Sequence, residues 1–527
     1  MAAAPTSIRA TLRHRPFRAL IGGGSVCFIG NAMQVMACAW LMVEATGSSF
    51  LAALVQTAVF LPMFLFALPA GVLADTTDRR RLMLGALVMQ TALVALLAGL
   101  VLTKNAGPAT LLALTFLSGC CTALLSPSWN SAIVDVLPRD ELPQAITLIG
   151  ISYNAARALG PALAGWVFVA AGSGWVFVMA VFGVLTLALV VQRHPPRPHP
   201  PSRLPAERLW GGMRSALRFV RHSRTVLAQL VRTVAYSAAG SALWALLPVV
   251  GQRQLGLGAA GFGLLMGCLG SGAVLAGLVI GPLRSRLGLE RLVAIGAVVF
   301  SAVMAVAALS TSRPLVYAAL VAGGASWMSV MSTYNTATQT SVPPWVRARA
   351  TAMHTVCALG SFAIGSAFWG AMSDVIGLSP ALLIAAVCMA AGLLLARPFP
   401  LRMSDLDEVT QAPLSTDLFV AHQPDPEAGP VAVEIGYRVR PGEVPAFLEA
   451  VSLLRAPRRR DGATFWRIYR DLSDPSRYLE RFIVASWADY LHQRSRATLA
   501  DQELEARVRE VLQPGEVPTT QHYIAEI

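Results

Sequence analysis

Twelve apolar runs divide the first 400 residues of this chain, near 17–43, 50–74, 82–103, 109–134, 144–170, 175–192, 226–250, 260–282, 291–311, 314–340, 346–372 and 379–396. Each is close to the roughly 20 residues that a helix needs to cross a bilayer. In lipid a backbone must satisfy its own hydrogen bonds, so runs of this length fold as helices. Of the 527 residues 55% are hydrophobic and only 13% charged, and mean hydropathy is +0.57. A soluble domain carries about a quarter charged residues. The expected class is therefore an all-α membrane protein, embedded in a lipid bilayer.

The net charge of +13 does not point to nucleic acid, because the cations cluster in short loops. With the N-terminus inside, inner loops and flanks hold Arg9, Arg13, Arg15, Arg18, Arg79 to Arg81 and Arg139. They also hold eight Arg between 193 and 224, and Arg284, Arg286, Arg291, Arg347, Arg349, Arg397 and Arg402. Outer loops hold Lys104, Arg253 and Arg313. That asymmetry predicts a multi-pass protein of the cytoplasmic (inner) membrane with both termini cytoplasmic. The first run is too long for the apolar core of a leader and reads as a first span. All seven cysteines fall inside apolar runs without metal-ligand spacing, so no metal site is expected.

The chain repeats internally. Asn130 to Pro138 aligns with Asn335 to Pro343, and the same offset of 205 pairs Gly119 with Gly324, Gly160 with Gly365 and Gly165 with Gly370. Two six-span repeats imply a binding site between halves. The expected organisation is a six-helix half at 1–193, a cytoplasmic linker with an amphipathic segment at 194–225, and a second six-helix half at 226–403. A linker at 404–429 and a cytoplasmic domain at 430–527 follow. The linker 194–203 is rich in Pro and Arg, and the basic amphipathic stretch 207–224 reads as lying on the inner membrane surface. Beyond 430 the order β-α-β-β-α-β predicts a small α+β ferredoxin-like domain. Its expected elements are a strand from Val431, a helix over 442–454, strands at 464–470 and 478–486, a helix near 498–511 and a last strand at 521–527. Arg458 to Asp461 reads as a solvated turn.

Polar residues inside apolar spans are the candidates for a substrate cavity. On shared helix faces they are Asn31 and Gln34; Tyr153, Asn154 and Arg157; Arg232, Tyr236 and Trp244; Trp327, Tyr334 and Asn335; and His354. Arg157 stands out, since a mid-span cation must face water or an acid. There is no G-x-x-x-x-G-K-[ST], so ATP is not expected as an energy source within this chain. No cofactor is expected.

Between the second and third runs stands Gly71-Val-Leu-Ala-Asp-Thr-Thr-Asp-Arg-Arg-Arg-Leu82. It resembles the G-x-L-A-D-R-x-G-R-[RK]-x-x-L loop signature of the major facilitator superfamily, with Thr76 and Asp78 replacing the usual Arg and Gly. A weaker copy spans Gly281 to Leu292 and lacks the Asp. Ala158-Leu-Gly-Pro-Ala-Leu-Ala-Gly165 resembles the fifth-span Gly-Pro signature of exporters in that superfamily. Phe116, Ser126 to Asn130 and Asn154 to Pro161 narrow the resemblance. With Trp466, Tyr469 to Asp471, Glu480 to Phe482 and Ser486-Trp487, they match the transmembrane secretion effector branch, which is similar to the enterobactin exporter.

That resemblance implies a twelve-helix transporter exporting a siderophore-like or drug-like small molecule by proton antiport. It implies gating roles for Gly71, Asp75, Arg79, Arg80, Gly160, Pro161 and Gly165. The alternatives are an importer of the same fold, or a membrane-tethered monooxygenase or sensor acting through the C-terminal domain. Trp466, Tyr469, Trp487 and His492 would line a pocket in the latter case and be core aromatics otherwise. Whether that domain regulates or dimerises stays open.

Overall fold

The computed structural model describes residues 11–138, 141–193, 217–413, 420 and 424–526. Within helices, the side chains at 67–68, 71–72, 74–76, 134–135, 143 and 348 lie outside the description. The chain divides into two compact units. One comprises Met1–Pro201, Val231–Tyr334 and His354–Pro398; the other comprises Ser202–Leu230, Asn335–Met353 and Phe399–Ile527.

The first half of the membrane region consists of α1 (Arg15–Thr46), α2 (Ser49–Thr76), α3 (Arg79–Leu102), α4 (Pro108–Asp135), α5 (Leu142–Ala171) and α6 (Ser173–Arg193). The second consists of α7 (Arg224–Val249), α8 (Ala259–Leu309), α9 (Arg313–Thr340), α10 (Pro344–Ile376) and α11 (Leu378–Ala391). Ten helices among the described residues are long and apolar enough to cross a membrane. One of these, α8, runs for 51 residues and holds both the eighth and ninth expected spans. Its helical path breaks at Gly288, whose φ of 74° is open to glycine without a Cβ penalty. The fifth expected span is α5, 30 residues long with Pro161 inside it.

Local chemistry sets the helix ends. The Ser48 side chain accepts the Leu51 N–H at the start of α2, and Asp78 accepts those of Arg80 and Arg81 at the start of α3. Asp78, which departs from the loop signature, therefore caps the helix after it. Gly172 joins α5 to α6 and Gly377 joins α10 to α11; both have φ +94°. They lie 205 residues apart, the offset of the internal repeat.

Packing follows the same offset. A Cβ on Gly119 would sit 3.0 Å from Ala58 O of α2, and one on Gly324 would press on Leu269 O of α8. Gly160 faces Ile29 O of α1, and Gly365 faces Ala238 O of α7. Gly165 faces Ala259 O of α8, and Gly370 faces Ser49 O of α2. The two members of each pair thus dock on equivalent helices, within their own half for the first two pairs and across the halves for Gly165 and Gly370. In lipid, where apolar burial drives little association, close backbone approach through small residues holds helices together.

The second unit contains the ferredoxin-like domain. It follows α12 (Leu406–Val409) and runs β1 (Val431–Arg438), α13 (Val444–Leu453), α14 (Arg455–Asp461), β2 (Phe465–Arg470), β3 (Arg477–Val484), α15 (Trp487–Arg496), α16 (Leu499–Glu510) and β4 (Thr519–Ile524). The sheet order is β2-β3-β1-β4, with all three pairings antiparallel. This is the expected β-α-β-β-α-β topology with two helices added.

The added helix α14 corrects the reading of Arg458 to Asp461 as a solvated turn. Glu480 is fully buried, and its carboxylate accepts from Tyr437 Oη at 2.6 Å, Trp466 Nε1 at 2.9 Å and Arg458 Nε at 3.2 Å. Arg460 pairs with Asp461 at 2.7 Å and Asp501 at 2.6 Å. Burial, then the adjoining Glu480 carboxylate, push the Tyr437 phenol well up. Burial raises Asp461 despite Arg460 beside it. A charged run packs against the core here because Arg458, Arg460 and Asp461 each meet an opposite charge.

The last strand begins at Thr519 and ends at Ile524, earlier than expected. Most of the linker and amphipathic segment, 194–216, lies outside the described residues. Residues 217–222 are helical, and Phe219 and Val220 are buried against protein instead of facing a membrane surface.

Candidate functional site

In the first half, polar side chains meet behind α1. Gln90 of α3 is buried and donates to Asn31 Oδ1 at 3.2 Å, Ser118 Oγ at 3.3 Å and Thr122 Oγ1 at 3.4 Å. Gln34 is buried on the same helix as Asn31. Tyr153 is exposed and meets Phe28 edge-on at 5.7 Å. Asn154 donates to the Gly150 carbonyl of its own helix.

In the second half, Tyr236, Trp244 and Trp327 join Phe300 and Phe362 in an aromatic cluster, with ring centroids 5.3–6.5 Å apart. Such tilted and edge-on pairs are favoured by the ring quadrupoles. Phe60 of α2 reaches Phe362 of α10 at 5.0 Å, so the cluster touches the first half. A small pocket, with room for about one water, adjoins it, lined by Arg232, Tyr236, Tyr334, Val293, Ala297 and Met389, among others. Arg232 is buried and bonds both Glu290 oxygens, at 2.7 and 2.6 Å. His354 is buried, with Thr233 Oγ1 3.5 Å from Nδ1. Asn335 accepts from Gln339 one turn on.

Arg157 of α5 joins the two halves. Its guanidinium lies 4.6 Å from the ring centroid of Trp244 in α7. Among the described residues no carboxylate pairs with it. A cation over an indole face gains about 0.5–2 kcal/mol. That is less than a full counter-charge supplies, so the guanidinium keeps capacity to bind another anion.

Around Arg157 the halves meet along two seams. Ala158, Pro161 and Gly165 of α5 face Gly270, Gly263 and Ala259 of α8. Ser49, Phe50 and Ala53 of α2 face Gly370 of α10, and Thr57 donates to Ala363 O at 2.8 Å. At one end of the second seam the Asp374 carboxylate accepts Ser48 Oγ at 2.7 Å, Ser49 N–H at 2.8 Å and Phe50 N–H at 3.1 Å. Arg253 donates to the Gly47 carbonyl nearby.

Of the signature residues, Arg80 donates to the Gln192 carbonyl of α6 at 2.8 Å. Arg79 opens α3. Gly71 and Asp75 lie in the last two turns of α2, at positions whose side chains are outside the described residues.

A family model described as transmembrane secretion effector matches residues 6–527. The chain belongs to that family. The multidrug efflux pump Tap of Mycobacterium tuberculosis is 26% identical over 394 residues, covering 72% of this chain and 92% of Tap. Two solved folds agree. One is a bacterial homologue of the human lysosomal transporter Spinster, with TM-score 0.59 and 15% identity over 73% of this chain and 97% of that one. The other is the nucleoside transporter NupG, with TM-score 0.57 and 14% identity over 73% of this chain and 98% of that one.

This secretion effector is thus a multi-pass efflux transporter of the major facilitator type and not an enzyme. The monooxygenase alternative falls with that. In the C-terminal domain Trp487 is 2% exposed and packs on Tyr490 and His522 as a core aromatic. Trp466 binds Glu480, and Tyr469 is exposed.

Sequence reasoning missed Gln90, Glu290, Asp374, Gly263 and Gly270. Gln90 carried a signal, a lone amide in the third apolar run. Asp374 did also, as a carboxylate two residues from the end of α10. The partner glycines carried none without the fold.

Proposed function

We propose that this transporter exports a small amphiphilic, preferentially anionic molecule across the cytoplasmic membrane, exchanging it for protons by alternating access. Both termini face the cytoplasm in this reading, as the distribution of cations in the loops supports. The observation that carries it is the pair of seams. Each joins one helix of the first half to one of the second through glycines related by the internal repeat, so the halves can rock about a site at the level of Arg157. The Asp374 tie is the outer lock that the cycle must break. The inner gate rests on the end of α2 and the loop after it, with Asp75 as its anion.

The chemistry of the membrane region supports the anionic preference. Arg157 rests on an aromatic ring, and Tyr236, Trp244 and Trp327 supply flat apolar surface. The name of Tap, a multidrug efflux pump, supports a broad cargo. Among the other sequence candidates, Asn31, Gln34, Asn154 and His354 stand in this reading as polar walls or coupling groups.

Accumulation of a panel of labelled carboxylates, catecholates and neutral drugs, in cells with and without the protein, tests it. Lower accumulation of anionic members, abolished by a protonophore, is expected. Equal accumulation across the panel contradicts the reading.

A further inference from the structure

The second compact unit joins the C-terminal domain to short stretches of the membrane helices: Ser202–Leu230, which ends inside α7, and Asn335–Met353, which spans the turn from α9 to α10. Trp345 stands in the first turn of α10. Phe219 meets its ring edge-on at 5.7 Å and 88°. The Arg496 guanidinium lies 4.3 Å from its centroid. Arg496 ends α15 of the C-terminal domain, is 5% exposed, and donates to Asp461 O at 3.4 Å. Arg460, held by Asp461 and Asp501, lies 5.9 Å over the Phe219 ring. Two anchored cations of one domain thus sit on two aromatic rings of membrane-proximal segments.

Polar ties run beside these rings. Gln229 donates to Ser341 Oγ at 3.1 Å and to Arg402 O at 3.2 Å. Ser404 bonds Ser341 twice. The segment beyond α12 pairs with the end of α15, Ala412 N–H to Ala497 O at 2.9 Å and Leu499 N–H to Thr410 O at 3.1 Å.

We propose that Arg496 and Trp345 form a releasable clamp by which the C-terminal domain positions the first turn of α10 and slows the transport cycle. The contact suits release. Arg496 reaches its ring through a cation–π contact, which is weaker than a desolvated ion pair. Its own domain holds Arg496 in place whether or not the ring is present. The helix it holds also carries Asp374, the outer lock, near its far end. Motion of α10 is therefore the step such a clamp slows. The effect on rate rests on the alternating-access reading; the clamp itself does not.

The test uses the full-length chain in nanodiscs and proteoliposomes. Arg496→Ala and Trp345→Leu remove the contact from opposite sides, so a folding defect in the C-terminal domain cannot explain both. Hydrogen exchange over 344–353 should quicken about 3–10-fold in each variant, and no further in the double variant. The strand β1 peptide should keep its protection in Trp345→Leu. Efflux kcat should rise by a similar factor at unchanged KM, and Arg496→Lys and Trp345→Phe should restore both readouts. Unchanged exchange at 344–353 in both variants overturns the clamp. Quickened exchange without faster efflux overturns its role in the cycle, and wild-type chain that moves no substrate counts against the transport reading instead.

Discussion

The carboxylate of Asp374, near the end of α10, accepts the backbone N–H of Ser49 at 2.8 Å in the first turn of α2. The same carboxylate takes the Ser48 hydroxyl and the Phe50 N–H, so one anion from the second half caps a helix of the first. A charge at a helix N-terminus gains from the dipole as well as from the hydrogen bonds.

Asp374→Asn should weaken this lock by about 0.5–2 kcal/mol. A cysteine at Phe50, half-buried at the seam, reports on it. Labelling of Phe50→Cys by a membrane-impermeant maleimide should quicken several-fold when Asp374→Asn is added, at equal membrane abundance. Unaltered labelling would sink the assignment of Asp374 as a lock.

Arg157→Ala should abolish export of anionic cargo while sparing neutral cargo. A desolvated charge contact is worth 2–5 kcal/mol or more, roughly, when truncated. Arg157→Lys should rescue only in part, because a point charge lacks the guanidinium fork and stacks less well on Trp244. If Arg157→Ala instead lowers abundance and all cargoes fall alike, Arg157 serves helix packing.

Gly370→Val should stop efflux, whereas Gly85→Val should not. A Cβ at 370 would press on the α2 backbone, 3.1 Å from Phe50 Cα and 3.2 Å from Ser49 O; at 85 it meets nothing within 4 Å. Overpacking typically costs about 1–3 kcal/mol. Efflux per molecule in membranes checks it, and equal rates for the two variants would refute the seam.

Acid should loosen the C-terminal domain. Burial, then the cation of Arg494, hold His522 below its ordinary 6.5, and burial followed by Arg496 does the same for His492. Both folded values are depressed, so the unfolded chain takes the proton first. The stability is present above about 6.5 and is lost as pH falls through 6.5 toward the folded values. The protection factors of β1 and β4, corrected for the intrinsic pH dependence of exchange, should therefore fall between pH 7.5 and 5.5, and His522→Phe should flatten that dependence. Protection that rises on acidification would contradict this.

Much of the membrane fold could be read from the chain because lipid imposes a single rule on every run. Apolar length gives helices, and the offset of 205 that pairs Gly160 with Gly365 reappears in the turns at Gly172 and Gly377. The sites were less legible. Arg232 shares a helix face with Tyr236, yet nothing local reveals that Glu290, 58 residues on, neutralises it. Arg458 to Asp461 looks solvated in sequence, since burial of such a run depends on Glu480 and Asp501 arriving from elsewhere. Periodicity tells which face a residue takes, but not what the fold brings to that face.

Proton coupling with alternating access is tested most directly in proteoliposomes carrying an imposed pH gradient and a fluorescent pH reporter. An exported anion should dissipate the gradient through wild-type protein, and through Asp75→Asn or Gly370→Val at a small fraction of that rate. Cargo movement at full rate with the gradient intact would contradict it.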